Sequence, residues 1–296
     1  MMKILHLADT HYDQNTENLH YPASKEMVLS LFEWLKENKN SYDLIMISGD
    51  ITVKGTAFIS ELQYVKEKFD ALSVPYIIIP GNHDLCPLKE MEKRYPGIEE
   101  YEYTSLENTN FFQVFGEKGV RFSQVINQVH FIGFSIRNGD PDGTLSWLRK
   151  ELETPYEKIV IGHYPLIPTR LDGFCSTWDY FRIENSLGDL KNLIFDETHH
   201  VKAYFCGHQH VNSIVKVNRG FHIETASAVL GSCSYREILI DNEKIDISTH
   251  FFIGENDWVG VLVSSETSHD VLHGDPYSYQ RGNQNDLYLY IERESP

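Results

Sequence analysis

The chain has 296 residues, 41% of them hydrophobic and 23% charged, so it can bury a sizeable core without disulfide staples and is not a disordered, fibrous or low-complexity chain. Its 26 Lys and Arg against 43 Asp and Glu give a net charge of −17, which opposes binding to a long nucleic acid and suits a small anionic substrate held by metal ions. No apolar run approaches the roughly 18 residues of a membrane span, and Ile4–Ala8 after a single Lys3 is broken at once by Asp9, so neither membrane nor leader is expected and the protein reads as cytoplasmic.

In chain order, the apolar run from Ile4 to Ala8 predicts a buried strand that ends at Asp9. Met27, Val28, Leu31, Phe32 and Leu35 then follow one face of a helix, and Leu44–Ile47 reads as a second strand ending in Ser48-Gly49-Asp50. Phe58, Ile59, Leu62, Val65, Phe69 and Leu72 predict a second helix, before a third strand, Tyr76–Ile79, runs into Pro80-Gly81-Asn82-His83-Asp84. The opening third is therefore βαβαβ, and right-handed crossovers make its strands parallel with their carboxyl ends at one edge. Residues from about 86 to 110 read as an irregular cap or loop over that edge. Strands are expected near 120–136 and a helix near 145–152. Ile159–Ile161 then leads to Gly162-His163, and a helix from Ser186 to Phe195 precedes Ala203–Cys206 and Gly207-His208-Gln209-His210. Residues 211–252 read as consecutive antiparallel strands with turns at Asn218-Arg219-Gly220 and Asp241-Asn242-Glu243. A main domain over 1–252 and an extension over 253–296 packed on it follow, the extension carrying strand-like pieces at Val259–Val263 and Leu287–Ile291.

Metal-capable side chains gather at the strand ends: Asp9, His11, Asp50, Asn82, His83, His163, His208 and His210. Carboxylate and amide oxygens mixed with imidazoles, without thiolates, suit Mn, Fe, Zn or Co. Seven ligands with Asp50 shared suffice for two adjacent ions, since a bridging carboxylate holds two cations about 3.5–4 Å apart, close enough for both to contact one phosphoryl group. In Asp9-Thr10-His11 and His208-Gln209-His210 the ligands are two residues apart, so an extended backbone points both to one side. Gly49, Gly81, Gly162 and Gly207 stand just before ligands, where the missing Cβ permits close backbone approach. The four cysteines, Cys86, Cys175, Cys206 and Cys233, form no CxxC pair and read as reduced, buried thiols.

Asp9-Thr10-His11, Gly49-Asp50, Gly81-Asn82-His83-Asp84, His163 and Gly207-His208-Gln209-His210 together resemble the motif series of the calcineurin-like metallophosphoesterase superfamily. The resemblance implies an α/β fold, a four-layer α/β-β/α sandwich of two mixed sheets flanked by helices. It implies two divalent or trivalent ions (Mn, Fe or Zn), the first held by Asp9, His11 and His210 and the second by Asn82, His163 and His208, with Asp50 bridging. It further implies in-line attack at phosphorus by a metal-bridging hydroxide, with His83 as the proton donor or charge stabiliser and Asp84 orienting an imidazole. Where many members carry a second Asp, three residues after Asp50, this chain has Val53, so what orients His83 is left open. Pro80, Gly55 and Gly143-Thr144-Leu145-Ser146-Trp147-Leu148 are similar to the class III cyclic-nucleotide phosphodiesterases, a bacterial branch.

His6, His130 and His222, inside apolar stretches, read as hydrogen-bonded structural residues, and His199-His200 as surface residues. Tyr12 and Tyr164 adjoin ligands and are candidate substrate-pocket walls, while Arg137, Arg170 and Arg182 are candidate phosphate clamps. The expected function is hydrolysis of a small phosphodiester, a cyclic nucleotide foremost. The alternatives are a phosphomonoesterase, a DNA-repair nuclease of the same superfamily, which the acidic charge disfavours, and a metal-free protein-binding scaffold. A homo-oligomer is compatible with everything in the sequence.

Overall fold

The computed structural model describes residues 1–14, 24–85, 105–137, 140–167, 190–252 and 280–293. β1 (Met2–Leu7), α1 (Ser24–Asn38), β2 (Leu44–Ile47), α2 (Ile59–Leu72), β3 (Tyr76–Ile78) and the one-turn α3 (Asn82–Leu85) form the opening unit. Two short helices, α4 (Asn110–Phe115) and α5 (Glu117–Val120), lead into the hairpin β4 (Arg121–Ile126) and β5 (Val129–Phe134). After α6 (Thr144–Leu152) come β6 (Glu157–Ile161), β7 (Val201–Cys206), and the hairpins β8 (Ser213–Val217) with β9 (Gly220–Glu224) and β10 (Ser234–Ile240) with β11 (Lys244–Phe251). A last turn of helix, α7 (Gln284–Leu287), precedes β12 (Tyr288–Glu292).

The strands form two six-stranded sheets, in the orders β12-β11-β10-β1-β2-β3 and β4-β5-β6-β7-β9-β8. β1, β2 and β3 are mutually parallel, as are β5, β6, β7 and β9, so each sheet delivers several carboxyl ends to one edge. Alternation along the strands makes the layers. Met2 and Ile4 point between the sheets with Met46, Ile77, Phe131, Ile159 and Phe205, while Leu5 and Leu7 point outward to α1 and α2. Beyond the second sheet, Ile132, Val160 and Tyr204 pack on Leu148 and Leu152 of α6 and on Leu190 and Ile194. The architecture is thus two mixed sheets face to face with helices on both outer surfaces.

Two sequence expectations change. Phe58 does not join the buried face of α2: it is the N-cap, 47% exposed, and the face starts at Leu62. The strands of 211–252 do not form one antiparallel run, because β8–β9 and β10–β11 are hairpins in different sheets. The buried segment 225–233 between them crosses from one sheet to the other at the strand-end edge. Of the extension, residues 253–279, which include the expected strand at 259–263, and 294–296 lie outside the described residues. β12 is an integral strand of the first sheet, and Arg293 beside it reaches Glu157 of the second sheet at 2.7 Å. Among the described residues no helix is long and apolar enough to cross a membrane.

A buried carboxyl group ties α2 to the loops that follow β1 and β2. Glu61 accepts hydrogen bonds from the backbone N–H groups of Gln14, at 3.3 Å, and Lys54, at 3.1 Å. Burial and the neighbouring Asp13 carboxylate push Glu61 up to about 8, although Lys54 opposes the shift. The folded protein therefore keeps a proton that the unfolded chain has released, and this contribution is lost as pH rises from the ordinary Glu range through about 8. Glu61→Gln, neutral at every pH, is expected to gain on the wild type in melting temperature between about pH 5 and about pH 9. A constant difference across that range would refute the assignment.

Candidate metal centre

The strand-end side chains converge. Donor atoms of Asp9, His11 and His210 lie within 4.8 Å of one another, and so do those of Asp50, His163 and His208. His11 Nε2 is 3.0 Å from His210 Nε2, and His163 Nε2 is 3.1 Å from both His208 Nδ1 and Asn82 Oδ1. Asp50 stands between the groups: its Oδ2 is 3.4 Å from His163 Nε2 and 3.9 Å from His11 Nε2. First-sheet strands carry Asp9, His11, Asp50 and Asn82, and second-sheet strands carry His163, His208 and His210.

The donor set fits two cations. Donors bound about 2.1 Å from one ion at about 90–109° to each other are about 3.0–3.4 Å apart, the range of the contacts His163 makes with Asp50, Asn82 and His208 and of the His11–His210 pair, while Asp9 Oδ1 stands 3.6 Å from His210 Nε2 and 4.0 Å from His11 Nε2. The His163 ring is also held in the tautomer a ligand needs. Its Nδ1–H donates to the Ser48 carbonyl at 2.8 Å, which in the neutral ring leaves the Nε2 lone pair facing Asp50, Asn82 and His208. Burial opposes a charge on His163, yet the carboxylates of Asp50 and Asp9 raise it to about 9. The pull that recruits a proton there is the pull a metal ion would feel. Burial likewise pushes Asp50 up, but His163, His83 and His11 outweigh it and hold the carboxylate well below its usual range.

The local backbone is strained at the site. Asp9, His11, Asp50, His208 and His210 all have positive φ, from +45° to +78°. A non-glycine residue in that region costs roughly 1–3 kcal/mol and persists only where its surroundings impose it. Here they do: His11 N–H donates to Asp50 O at 2.9 Å, His83 N–H to Asp50 Oδ1 at 2.8 Å, and His208 N–H to Asp9 Oδ2 at 2.9 Å.

His83 lies beside both groups, its ring 4.9 Å from that of His11. Its Nδ1 is 2.9 Å from the carbonyl of Val53, so the backbone of that residue holds the ring where a second Asp side chain was missing. Asp84 requires a correction, since it orients no imidazole among the described residues. Its oxygens accept from Ile51 N, Thr52 N, Thr52 Oγ1 and Gly81 N at 2.7–3.0 Å, clamping the loop after β2 to the loop after β3. Burial and the charge of Asp50 push Asp84 up to about 7 against those donors.

The two tyrosines part company. Tyr12 is 3% exposed and stacks on Tyr64 at 4.6 Å in the core beneath α1 and α2, so it does not line a pocket. Tyr164 sets its ring 4.9 Å from His163 and 4.8 Å from His208. Arg137 is paired with Asp142 through Nε at 2.7 Å and is a structural ion pair, whereas Arg170 and Arg182 lie outside the described residues. His6, His130 and His222 are buried and hydrogen-bonded. Sequence reasoning missed Ser227, whose Oγ donates to Asp9 O at 2.6 Å, and Glu224, whose carboxylate accepts from Gln209 N–H. Neither belongs to a motif.

A sequence model of the calcineurin-like phosphoesterase family matches residues 2–212, a span that contains all seven candidate ligands. The chain is 25% identical over 214 residues to the 3',5'-cyclic adenosine monophosphate phosphodiesterase CpdA of Escherichia coli (strain K12), covering 71% of this chain and 70% of that one. It is 28% identical over 188 residues to the probable glycerophosphodiester phosphodiesterase GpdQ of Arcobacter nitrofigilis, covering 62% and 63%. Among solved structures, purple acid phosphatase PPD1 of yellow lupin superposes with a TM-score of 0.57 at 13% identity, over 84% of this chain and 51% of that one. A dimetal phosphatase from Danio rerio superposes with a TM-score of 0.53 at 13% identity, over 85% and 96%. At such identities the structural likeness shows the fold.

Gly207 tests the packing of the site. A Cβ there would strike the Asp9 carboxylate and approach the Ala8 side chain to 2.8 Å. Gly207→Ala is expected to weaken Mn²⁺ binding by about 10–100-fold, the usual effect of displacing a ligand's support, in a protein that still unfolds cooperatively. Calorimetric titration of chelator-stripped protein measures it, and unchanged affinity would show that Asp9 is not a ligand in this position.

Proposed function

The chain belongs to the calcineurin-like phosphoesterase family and is a metal-dependent phosphoric ester hydrolase, and from that premise we propose that it cleaves a small phosphodiester, a cyclic nucleotide foremost. The observation that carries the reading is the Asp50 carboxylate facing two converging donor groups, Asp9, His11 and His210 on one side and His163, His208 and Asn82 on the other. Two cations held by these residues would supply a nucleophile at neutral pH and neutralise the charge of the phosphoryl group.

The remaining steps belong to the chain. Asp50 and Asp9 fix the negative field that retains positive charge, and Ser48 O keeps His163 in its ligating tautomer. His83 donates a proton to the leaving oxygen through Nε2, since Val53 O holds Nδ1–H. Tyr164, standing over two ligand imidazoles, forms a wall of the substrate site. Relatives named for cyclic adenosine monophosphate and for glycerophosphodiesters support a diester over a monoester. The net charge of −17 supports a small substrate over duplex DNA.

Chelator-stripped protein assayed on a chromogenic phosphodiester beside its monoester, with and without Mn²⁺, tests the proposal. Expected is metal-restored cleavage that favours the diester and is absent in Asp50→Asn; a cyclic nucleotide set against a glycerophosphodiester then separates the two diester classes. Failure to cleave either ester with Mn, Fe, Zn or Co would overturn it. His83→Asn is expected to lower kcat by about 10²–10⁴-fold with Mn²⁺ binding unchanged, and a variant of full activity would remove His83 from proton transfer.

A further inference from the structure

Beneath the His208-Gln209-His210 loop the buried interior turns polar. Glu224, the last residue of β9, is fully buried, and its Oε1 accepts from the Gln209 N–H at 3.3 Å. The same N–H lies 3.1 Å from the carbonyl of Gly207 and closes a three-residue turn around His208, whose φ is +78°. A γ-turn with positive φ at its centre is a rare and strained conformation. Gln209, whose N–H Glu224 holds, lies between His208 and His210 in the chain.

Glu224 is itself fixed from below. Arg236 of β10, fully buried, donates to Glu224 O at 2.7 Å, to Thr225 Oγ1 at 3.0 Å, to Thr249 Oγ1 at 2.6 Å and to Asp286 O at 3.0 Å. The C-terminal segment thereby reaches the loop, and a second contact reinforces it, with Gln280 O accepting from Asn212 N–H at 2.7 Å. Glu224, Arg236 and Asp286 all lie outside the span 2–212 that the family model matches.

We propose that Glu224 is a positioning residue of the metal centre: its carboxylate holds the Gln209 peptide, and with it the strained His208 turn, in the geometry that presents His208 to one metal group and His210 to the other. The proposal rests on the metal-centre reading above. The carboxylate acts through its reach and acceptor oxygen, not through its charge, so the two properties can be separated. Glu224→Gln keeps the reach and the acceptor. Glu224→Asp keeps the charge and withdraws the acceptor, and Glu224→Leu fills the space with no acceptor.

The experiment is calorimetric titration of the chelator-stripped full chain with Mn²⁺, alongside thermal unfolding of each metal-free variant. Near-wild-type affinity is expected for Glu224→Gln, and a loss of about 10–100-fold for Glu224→Asp and Glu224→Leu, each still unfolding cooperatively. If one of the two acceptor-free variants does not fold, the other carries the comparison. A folded Asp or Leu variant that binds Mn²⁺ like the wild type overturns the inference alone, as does a Gln variant weakened as much as the others. A wild-type protein that takes up no Mn²⁺ overturns the function proposed above together with it.

Discussion

The constraint on which the structure depends is the placement of one buried carboxylate. Asp50 is 2% exposed at the end of β2, with Oδ2 turned to imidazoles from both sheets and Oδ1 bonded to the His83 N–H. Burying a charge is costly unless it is paired and hydrogen-bonded, so the surroundings must deliver positive charge to it. The parallel arrangement of β1, β2 and β3 brings His11 and Asn82 beside it. Gly81 allows the third loop to lie against it, since a Cβ there would collide with the Asp50 side chain. Asp84 then locks the β2 and β3 loops together from behind.

The strain at the ligands follows from the same requirement. Strands end with side chains alternating between faces, whereas the ligands of one ion must point to a common centre. Turning Asp9, His11, Asp50, His208 and His210 into the left-handed region achieves that within two to four residues of each strand end. Such conformations are unfavourable locally and are imposed by bonds from elsewhere in the chain. Ser227 on Asp9 O and Glu224 on Gln209 N–H are bonds of that kind, and both come from the passage that leaves β9. The crossing of segment 225–233 between sheets is therefore part of the site's construction.

The convergence of the strand-end Asp, Asn and His side chains was legible in the sequence because a candidate ligand position admits only a few residue types, and Gly81 and Gly207 mark where backbone and carboxylate touch. What stayed hidden was set by backbone direction or by distance along the chain. The partner of His83 is the carbonyl of Val53, which no side chain announces. Tyr12 adjoins His11, but the positive φ of His11 turns the chain and Tyr12 bridges to Thr52, sending its ring into the core. Phe58 continues the helical period of α2 but lies at its cap, beyond the buried face. The split of 211–252 between two sheets was illegible because two hairpins in different sheets and four strands in one present the same alternation.

The two sheets bring different halves of the donor set, and this couples the site to the fold. The contacts of His11 with His210, His163 with Asp50, and His208 N–H with Asp9 all cross from one sheet to the other. Away from the site the sheets are joined by the apolar layer of Ile4, Met46, Phe131, Ile159 and Phe205, which is non-directional, and by the bonds of Arg236 to Glu224 O and of Arg293 to Glu157. A cation held by donors from both sheets, as proposed above, would add a directional constraint on how they are seated. Affinity for the ion and rigidity of the inter-sheet interface are then one free energy seen from two sides, because an ion that binds only the correctly seated sandwich stabilises that seating by its own binding.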